Sequence, residues 1–422
     1  MEKVRGKRKQ IKGEHVMKNF LLTNIFGGWY YCLAGLLIAC FIPIAILQPK
    51  SVDNRLDAKD EKSLPSYGSM TQNESLFKAY SLDNNLVARE REENLRKYSY
   101  KYGKIDRRSK LSLKEFYDVY DGKWPVLITD VVPNWKAFNW TADFFMNHYG
   151  KERVAMKAVD GTLEKAISLA LPFELFIQHT KHGFANSWTY LEDELFIPMR
   201  PNLKRDIGSC PYMDEDFFQI FPEDVRPWNA MLLWGTAFSR SSLHIDPYNW
   251  TGTNAVIFGR KRWRLYPPGQ DHLLNVIPEK FSNFPLDCRK YNSPIDTHDK
   301  TDKGNLKASK ADVIEFDQLP GEILFIPTGW FHQAFNVEET LAISSQVMNR
   351  NNYRVVLEEI LKVDTIDRKS LPPEIDSLQP EEQVKLIMDN LPQKVLERGR
   401  QVTEDVVKQI KQTRQDSHYT LN

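Results

Sequence analysis

From residue 20 to residue 48 no side chain is charged, and residues 25–47 read IFGGWYYCLAGLLIACFIPIAIL. A run of that length matches a helix crossing a hydrocarbon core of ~30 Å at ~1.5 Å per residue. Trp29, Tyr30 and Tyr31 lie near one end, where aromatic rings favour the lipid–water interface. Residues 1–18 carry seven Lys or Arg against two Glu, so the positive-inside rule keeps the N-terminus in the cytoplasm. A cleaved signal peptide would have a shorter apolar region, ~7–15 residues, before a small-residue site. The pattern predicts a basic cytoplasmic tail over 1–24 and a transmembrane signal anchor over 25–47.

Past this run the pattern changes several times. Residues 48–105 are polar and mixed in charge, a linker that ends in a charged helical lead-in. Ser112-Leu113-Lys114-Glu115 has the form of a capping box, opening a short helix through Tyr120. WPVLITDVV (124–132) is the apolar, β-branched run of a buried strand. Thr141 is placed to cap the helix ADFFMNHY, which Gly150 ends. From about residue 187 to 349 the helical period is gone. WNAMLLWGT, TNAVIFGRKRWRLYPP, GEILFIPTGWFHQAFNV and TLAISSQVMN are short β runs separated by Gly, Pro and polar residues, the spacing of a sandwich or jelly roll. After Asn352 the helical period returns in YRVVLEEILKV, PEEQVKLIMDNLP and VTEDVVKQIKQT. The chain divides into a β-rich domain over 106–350 and a helical region over 351–422. Val355, Leu357, Ile360 and Leu361 suit either packing on that domain or a homodimer interface.

Composition narrows the options. Net charge is +1, from 57 basic and 56 acidic side chains, so no nucleic-acid partner is expected. Four cysteines are too few for a disulfide scaffold; Cys32 and Cys40 fall in the apolar run, leaving Cys210 and Cys288 to pair if the domain meets oxidant. Sequons at Asn73, Asn139 and Asn249 fit a glycoprotein. With the anchor, they predict a single-pass type II membrane protein of the ER or Golgi, its main domain in the lumen.

The candidate chemistry begins at LHIDPYNW, residues 243–250. In a strand, residues i and i+2 face one side, so His244 and Asp246 project together at ~7 Å Cα spacing. Two ligands do not hold a transition metal tightly. PTGWFHQAFN supplies a third, His332, after Pro327 and Gly329 turn the chain. Two His and one carboxylate form the facial triad of non-haem Fe(II) oxygenases, with open positions left for cosubstrate and O2. A lone His-x-Asp is common by chance; His332 in a Gly- and Pro-flanked strand favours the metal reading. Such a site also needs a cation for the far carboxylate of a cosubstrate. Lys261 shares a strand face with Trp263 and Leu265, whereas Arg260, Arg262 and Arg264 share the other. Lys261 is therefore expected to point inward.

His244-Ile-Asp246, Asn254, Gly259-x-Lys261-x-Trp263, Pro320-Gly321-Glu322, Ile326-Pro327 and Trp330-x-His332 resemble the JmjC family of 2-oxoglutarate-dependent oxygenases. HIDP…N…GRKRWRLYPP is most similar to its phosphatidylserine-receptor-like branch, the arginine demethylase/lysyl hydroxylase group. The similarity covers roughly residues 110–350. It implies Fe(II) on His244, Asp246 and His332, and 2-oxoglutarate with its C5 carboxylate on Lys261, supported by Asn254, Tyr190 and Ser344. Ser344 stands where that branch has threonine, Gln346 where asparagine is expected, and Ser241 resembles a hydroxyl position near the metal. The implied reaction decarboxylates 2-oxoglutarate to succinate and hydroxylates lysine or arginine side chains of a protein, here a secretory-pathway or surface protein. N-methyl demethylation by the same mechanism and a catalytically inactive JmjC-like scaffold are the alternatives. The expected fold is mainly β: a double-stranded β-helix (jelly roll or cupin) core with flanking helices, preceded by one transmembrane helix. A glycan on Asn249 would cover the mouth of the site, so that sequon is expected to be unmodified.

Overall fold

The computed structural model describes residues 104–161, 163–281, 286–362, 366 and 371–415. Fifteen strands, numbered in chain order, form two sheets. The larger has the spatial order β1 (Asp106–Arg108), β2 (Val126–Ile128), β13 (Ile323–Ile326), β8 (Thr251–Phe258), β15 (Thr340–Val347), β6 (Met231–Gly235), β5 (Ser187–Asp193), β3 (Arg153–Asp160) and β4 (Ile167–Pro172). The smaller runs β10 (Ile277–Phe281), β11 (Cys288–Ser293), β7 (Leu243–Ile245), β14 (Phe331–Asn336), β9 (Lys261–Tyr266) and β12 (Ile314–Gln318). Every pairing of neighbours is antiparallel except β1 with β2.

The period-two pattern fixes which faces turn inward. On β9, Lys261, Trp263 and Leu265 are buried while Arg262 and Arg264 are only half-buried. Directly opposite them on β12 stand Asp317 and Glu315, and each arginine pairs with its neighbour's carboxylate. These exposed cross-strand pairs add little stability, but a one-residue slip would bring the arginines into the core.

Both caps read from the sequence form, at Ser112 as a single cap and not a full capping box, since the Glu115 carboxylate pairs with Arg108. Ser112 Oγ accepts the Glu115 N–H at 3.1 Å, and Thr141 Oγ1 accepts the Phe144 N–H at 3.1 Å to open α1 (Ala142–Tyr149). Gly150 ends α1 in right-handed backbone; a Cβ there would lie 2.5 Å from Met146 O, so close approach, not a left-handed turn, requires glycine. Phe145 of α1 and Phe173 and Phe176 of α2 (Phe173–His179) meet Trp234 of β6 edge to face at 5.5, 5.5 and 5.7 Å. This aromatic cluster clamps the helices to the larger sheet.

The C-terminal helices α3 (Tyr353–Leu361), α4 (Pro380–Asp389) and α5 (Gln393–Gln415) follow the sequence pattern. Val356, Leu357 and Ile360 of α3 are buried in a second apolar cluster with Phe218, Tyr248 and Trp250. The apolar face of α3 therefore packs on the chain's own core. Cys210 and Cys288 are both free and buried, and they sit in different apolar clusters.

Four expectations need correction. The fold is mixed α/β, not mainly β: two sheets resembling a double-stranded β-helix, with helices whose buried residues share the apolar clusters of its core. Among the described residues no helix is long and apolar enough to cross a membrane. The longest, α5, carries charge along its whole length, QKVLERGRQVTEDVVKQIKQTRQ. The expected anchor over 25–47 lies outside the described residues, as does Asn73. The transmembrane helix, the membrane as a partner, and the type II ER or Golgi placement with its secretory-pathway substrates accordingly have no structural support.

Candidate metal centre

Short β7 alternates sharply. Leu243 and Ile245 enter an apolar cluster with Tyr266, Tyr291 and Phe331, which turns His244 toward the space between the sheets. His332 on β14 pairs directly with His244, and their ring centroids lie 4.4 Å apart. Asp246 follows the end of β7. Its Oδ1 is 3.6 Å from His244 Nε2 and 3.6 Å from His332 Nε2. One donor atom from each residue falls within 4.8 Å of the others, close enough to surround a single cation.

The surroundings prepare these donors for a metal. His244 Nδ1 lies 2.8 Å from Ser242 O, and His332 Nδ1 lies 3.1 Å from Trp330 O. Each ring thus donates from Nδ1 to a backbone carbonyl, which leaves the Nε2 lone pair for a cation. Burial works to raise the Asp246 carboxyl, but positive charge on the facing His332 and His244 rings outweighs it and holds the group well below the usual carboxylate range, a part that a cation between the three donors would take over. Gly252 makes room for it: a Cβ there would sit 2.0 Å from Asp246 Oδ2.

The triad faces a cavity of about 400 Å³ bounded by both sheets, within the range of small-molecule sites. Tyr190, Asn254, Ser344 and Ser241 all line it. Asn254 Oδ1 is buried without a hydrogen-bond partner among the described residues, the kind of orphan atom a ligand satisfies. Ser344 Oγ donates to Thr253 O at 3.0 Å. Ser241 Oγ accepts the Ala334 N–H at 3.0 Å, so it also ties the approach to β7 onto β14. Gln346 lines the cavity while its Nε2 donates to Trp228 O at 2.6 Å.

Lys261 lies behind this lining. It is fully buried, its Nζ donates to Tyr190 Oη at 3.0 Å, and no carboxylate pairs with it among the described residues. Burial pulls the ammonium down to about 7, opposed by Glu192. A buried cation held by a phenol and the nearby Trp263 ring, with no carboxylate partner among the described residues, is poised for an anion.

The sequence did not single out the rest of the wall. Glu192 and Glu194 line the cavity with Lys157, Lys290, Trp228 and Trp250. Glu192 pairs with Lys157, and burial raises the Glu194 carboxyl to about 7, opposed by Lys290. Tyr190 and Glu192 share a face of β5, so the alternation that places the tyrosine also places the glutamate.

The model of the cupin-like domain family matches residues 112–349. "Lysine-specific demethylase JMJ21" of Arabidopsis thaliana is 31% identical over 264 residues, 61% of this chain and 27% of that protein. "Bifunctional arginine demethylase and lysyl-hydroxylase psr-1" of Caenorhabditis elegans is 25% identical over 257 residues, 60% of this chain and 62% of that one. Human "2-oxoglutarate and iron-dependent oxygenase JMJD4" is 33% identical over 167 residues, 37% of each. The chain thus spans less than two thirds of each of these relatives. With the matched family model and the two-His, one-carboxylate donor set both in place, the chain belongs to the cupin-like domain family, as a JmjC-like member of the Fe(II)/2-oxoglutarate oxygenase superfamily.

Proposed function

We propose that this protein is an Fe(II)- and 2-oxoglutarate-dependent oxygenase of the phosphatidylserine-receptor-like JmjC branch, hydroxylating lysine or arginine side chains of a protein substrate. The observation that carries the reading is the donor set: one donor atom from each of three side chains within 4.8 Å, both imidazoles held by backbone carbonyls, beside a cavity backed by a buried lysine with no carboxylate partner among the described residues. When bound, iron and 2-oxoglutarate supply the oxidising chemistry, in which the keto acid loses CO2 to become succinate and one oxygen atom of O2 goes to a substrate carbon.

The chain's own residues divide the remaining work. His244, Asp246 and His332 hold the metal on one face, leaving the cavity side open. Along β9, Lys261 is four residues from Leu265, which stands opposite His332; that is ~13 Å at ~3.3 Å per residue. A lysine side chain and a five-carbon diacid together span such a gap, so Lys261 and Tyr190 receive the far carboxylate. Asn254 and Ser344 contribute polar contacts beside it, and Ser241 holds β7 against β14. Binding a dianion favours the charged lysine, so Lys261 takes up a proton as the cosubstrate enters.

On a wall that also carries Lys290 and the Lys157–Glu192 pair, Glu194 and two indoles support a cationic substrate side chain, since carboxylates and aromatic faces both attract an ammonium or guanidinium. N-methyl demethylation of the same side chains needs only the oxidised carbon to be a methyl, so the two reactions share every residue named. The test is to incubate purified protein, Fe(II), 2-oxoglutarate and ascorbate with lysine- and arginine-rich peptides carrying or lacking N-methyl groups. Mass spectrometry would read a gain of one oxygen atom, or loss of a methyl. Succinate formation that basic peptides neither stimulate nor couple to their own oxidation would sink the assigned substrate class.

A further inference from the structure

Between Asp246 and β8 the chain turns through Pro247, Tyr248, Asn249 and Trp250. Tyr248 has φ +52° and Asn249 has φ +54°, consecutive left-handed residues without a glycine, one of them a bulky aromatic. Such backbone persists only where its surroundings over-determine it. Here they do. The Asn249 N–H donates to Asp246 O at 3.0 Å, and Tyr248 is buried against Trp250, its hydroxyl donating to Leu286 O. Val356, Leu357 and Ile360 of α3 belong to the apolar cluster that encloses this turn.

The Asn249 side chain reaches across to the other ligand arm. Its Oδ1 accepts the Gly329 N–H at 2.5 Å, and Asn249 is only 2% exposed. Asn249 is three residues past Asp246; Gly329, in its own left-handed turn at φ +80°, is three residues before His332. β7 and β14 pair at one register position, His244 with His332, and Asp246 lies beyond the end of β7. The ladder thus aligns the two imidazoles but does not fix the carboxylate.

We propose that Asn249 is a positioning residue: its amide oxygen ties the turn that follows Asp246 to the turn that leads into β14 and His332, and so sets the spacing of the three-ligand face. The inference rests on reading that face as the metal centre. It also gives the Asn249-Trp250-Thr251 sequon an internal role, with its side chain buried and hydrogen-bonded away from solvent.

The test is Mn(II) titration of the metal-free full-length protein, read by electron paramagnetic resonance, in wild type, Asn249→Asp, Asn249→Gly, Asn249→Ala and His332→Ala. Asn249→Asp keeps an acceptor oxygen and is expected to bind near wild type. Asn249→Gly relieves the left-handed backbone, so it folds even if Asn249→Ala does not. Lacking the acceptor, it is expected to lose about 10–100-fold in affinity, the usual effect of removing a support behind a metal ligand. Gly binding as tightly as wild type, or Asp as weakly as Gly, would overturn the tie while leaving the metal centre standing. Wild type binding no better than His332→Ala would overturn both.

Discussion

Replacing Lys261 by methionine keeps the apolar stem of the side chain, one atom shorter, and removes its charge. In the free protein that charge is a burden: burial lowers the ammonium from 10.5 to about 7, and its hydrogen-bond partner is the Tyr190 hydroxyl. The unfolded chain keeps this proton up to its ordinary pKa, while the folded chain releases it near 7. Between those two values the unfolded state binds more protons, so stability rises with pH across this window. At ~1.36 kcal/mol per pH unit the drop corresponds to an upper bound of about 5 kcal/mol. Lys261→Met should therefore be more stable than wild type near pH 7 without cosubstrate, and the advantage should shrink as pH rises. Function should move the other way. A charge-assisted hydrogen bond contributes about 1.5–3 kcal/mol, so KM for 2-oxoglutarate should rise roughly 10–150-fold. In wild type the same KM should climb above about pH 7, because the bound carboxylate needs a lysine that has by then lost its proton. Thermal unfolding across this pH range and initial rates of succinate formation measure both arms. A stability difference that ignores pH, or an unchanged KM in Lys261→Met, would refute the assignment of this lysine.

Other expectations follow from single contacts. Gly252→Ala places a methyl 2.0 Å from Asp246 Oδ2 and should weaken Mn(II) binding about 10–100-fold; wild-type affinity would mean that the carboxylate has room to move. Glu194→Gln should raise KM for a basic peptide more than KM for 2-oxoglutarate. In wild type, peptide affinity should improve as pH rises through about 7 and the carboxyl loses its proton; equal effects on both KM values would remove Glu194 from the substrate wall. Ile360→Ala empties a fully buried site in the cluster around Tyr248 and should cost about 2–5 kcal/mol in denaturant unfolding. A loss below about 1 kcal/mol would show that α3 contributes little to that core.

What could be read in the sequence was whatever has a local period. The alternation in GRKRWRLY put Lys261 and Trp263 inside and the arginines outside, and the structure agrees because β12 sets acidic residues against those arginines. The caps at Ser112 and Thr141 and the three C-terminal helices were legible for the same reason. Strands β3 and β4 were not, since their apolar positions are mixed with Ala, Ser and Lys and they extend an already formed sheet. The weight given to the β runs understated the helices, whose apolar faces complete the core. Glu192, Glu194 and Asn249 escaped because their roles depend on which distant segments meet. In the sequence Asn249 is no more than a sequon expected to stay unmodified, until Gly329 is brought against it. Ser241 shows the converse: singled out for the metal's neighbourhood, it lines the cavity but is also engaged by the backbone of Ala334.

The central claim is that His244, Asp246 and His332 form one working iron site, and its most direct measurement follows Fe(II) binding, O2 uptake and succinate together. Anaerobically purified full-length protein would be compared with Asp246→Ala. One Fe(II) per chain is expected, with succinate formed only when 2-oxoglutarate and O2 are both present. Both should be lost in Asp246→Ala while the fold, read by circular dichroism, is kept. Folded wild type that binds no Fe(II), or Asp246→Ala that forms succinate at the wild-type rate, would contradict that claim.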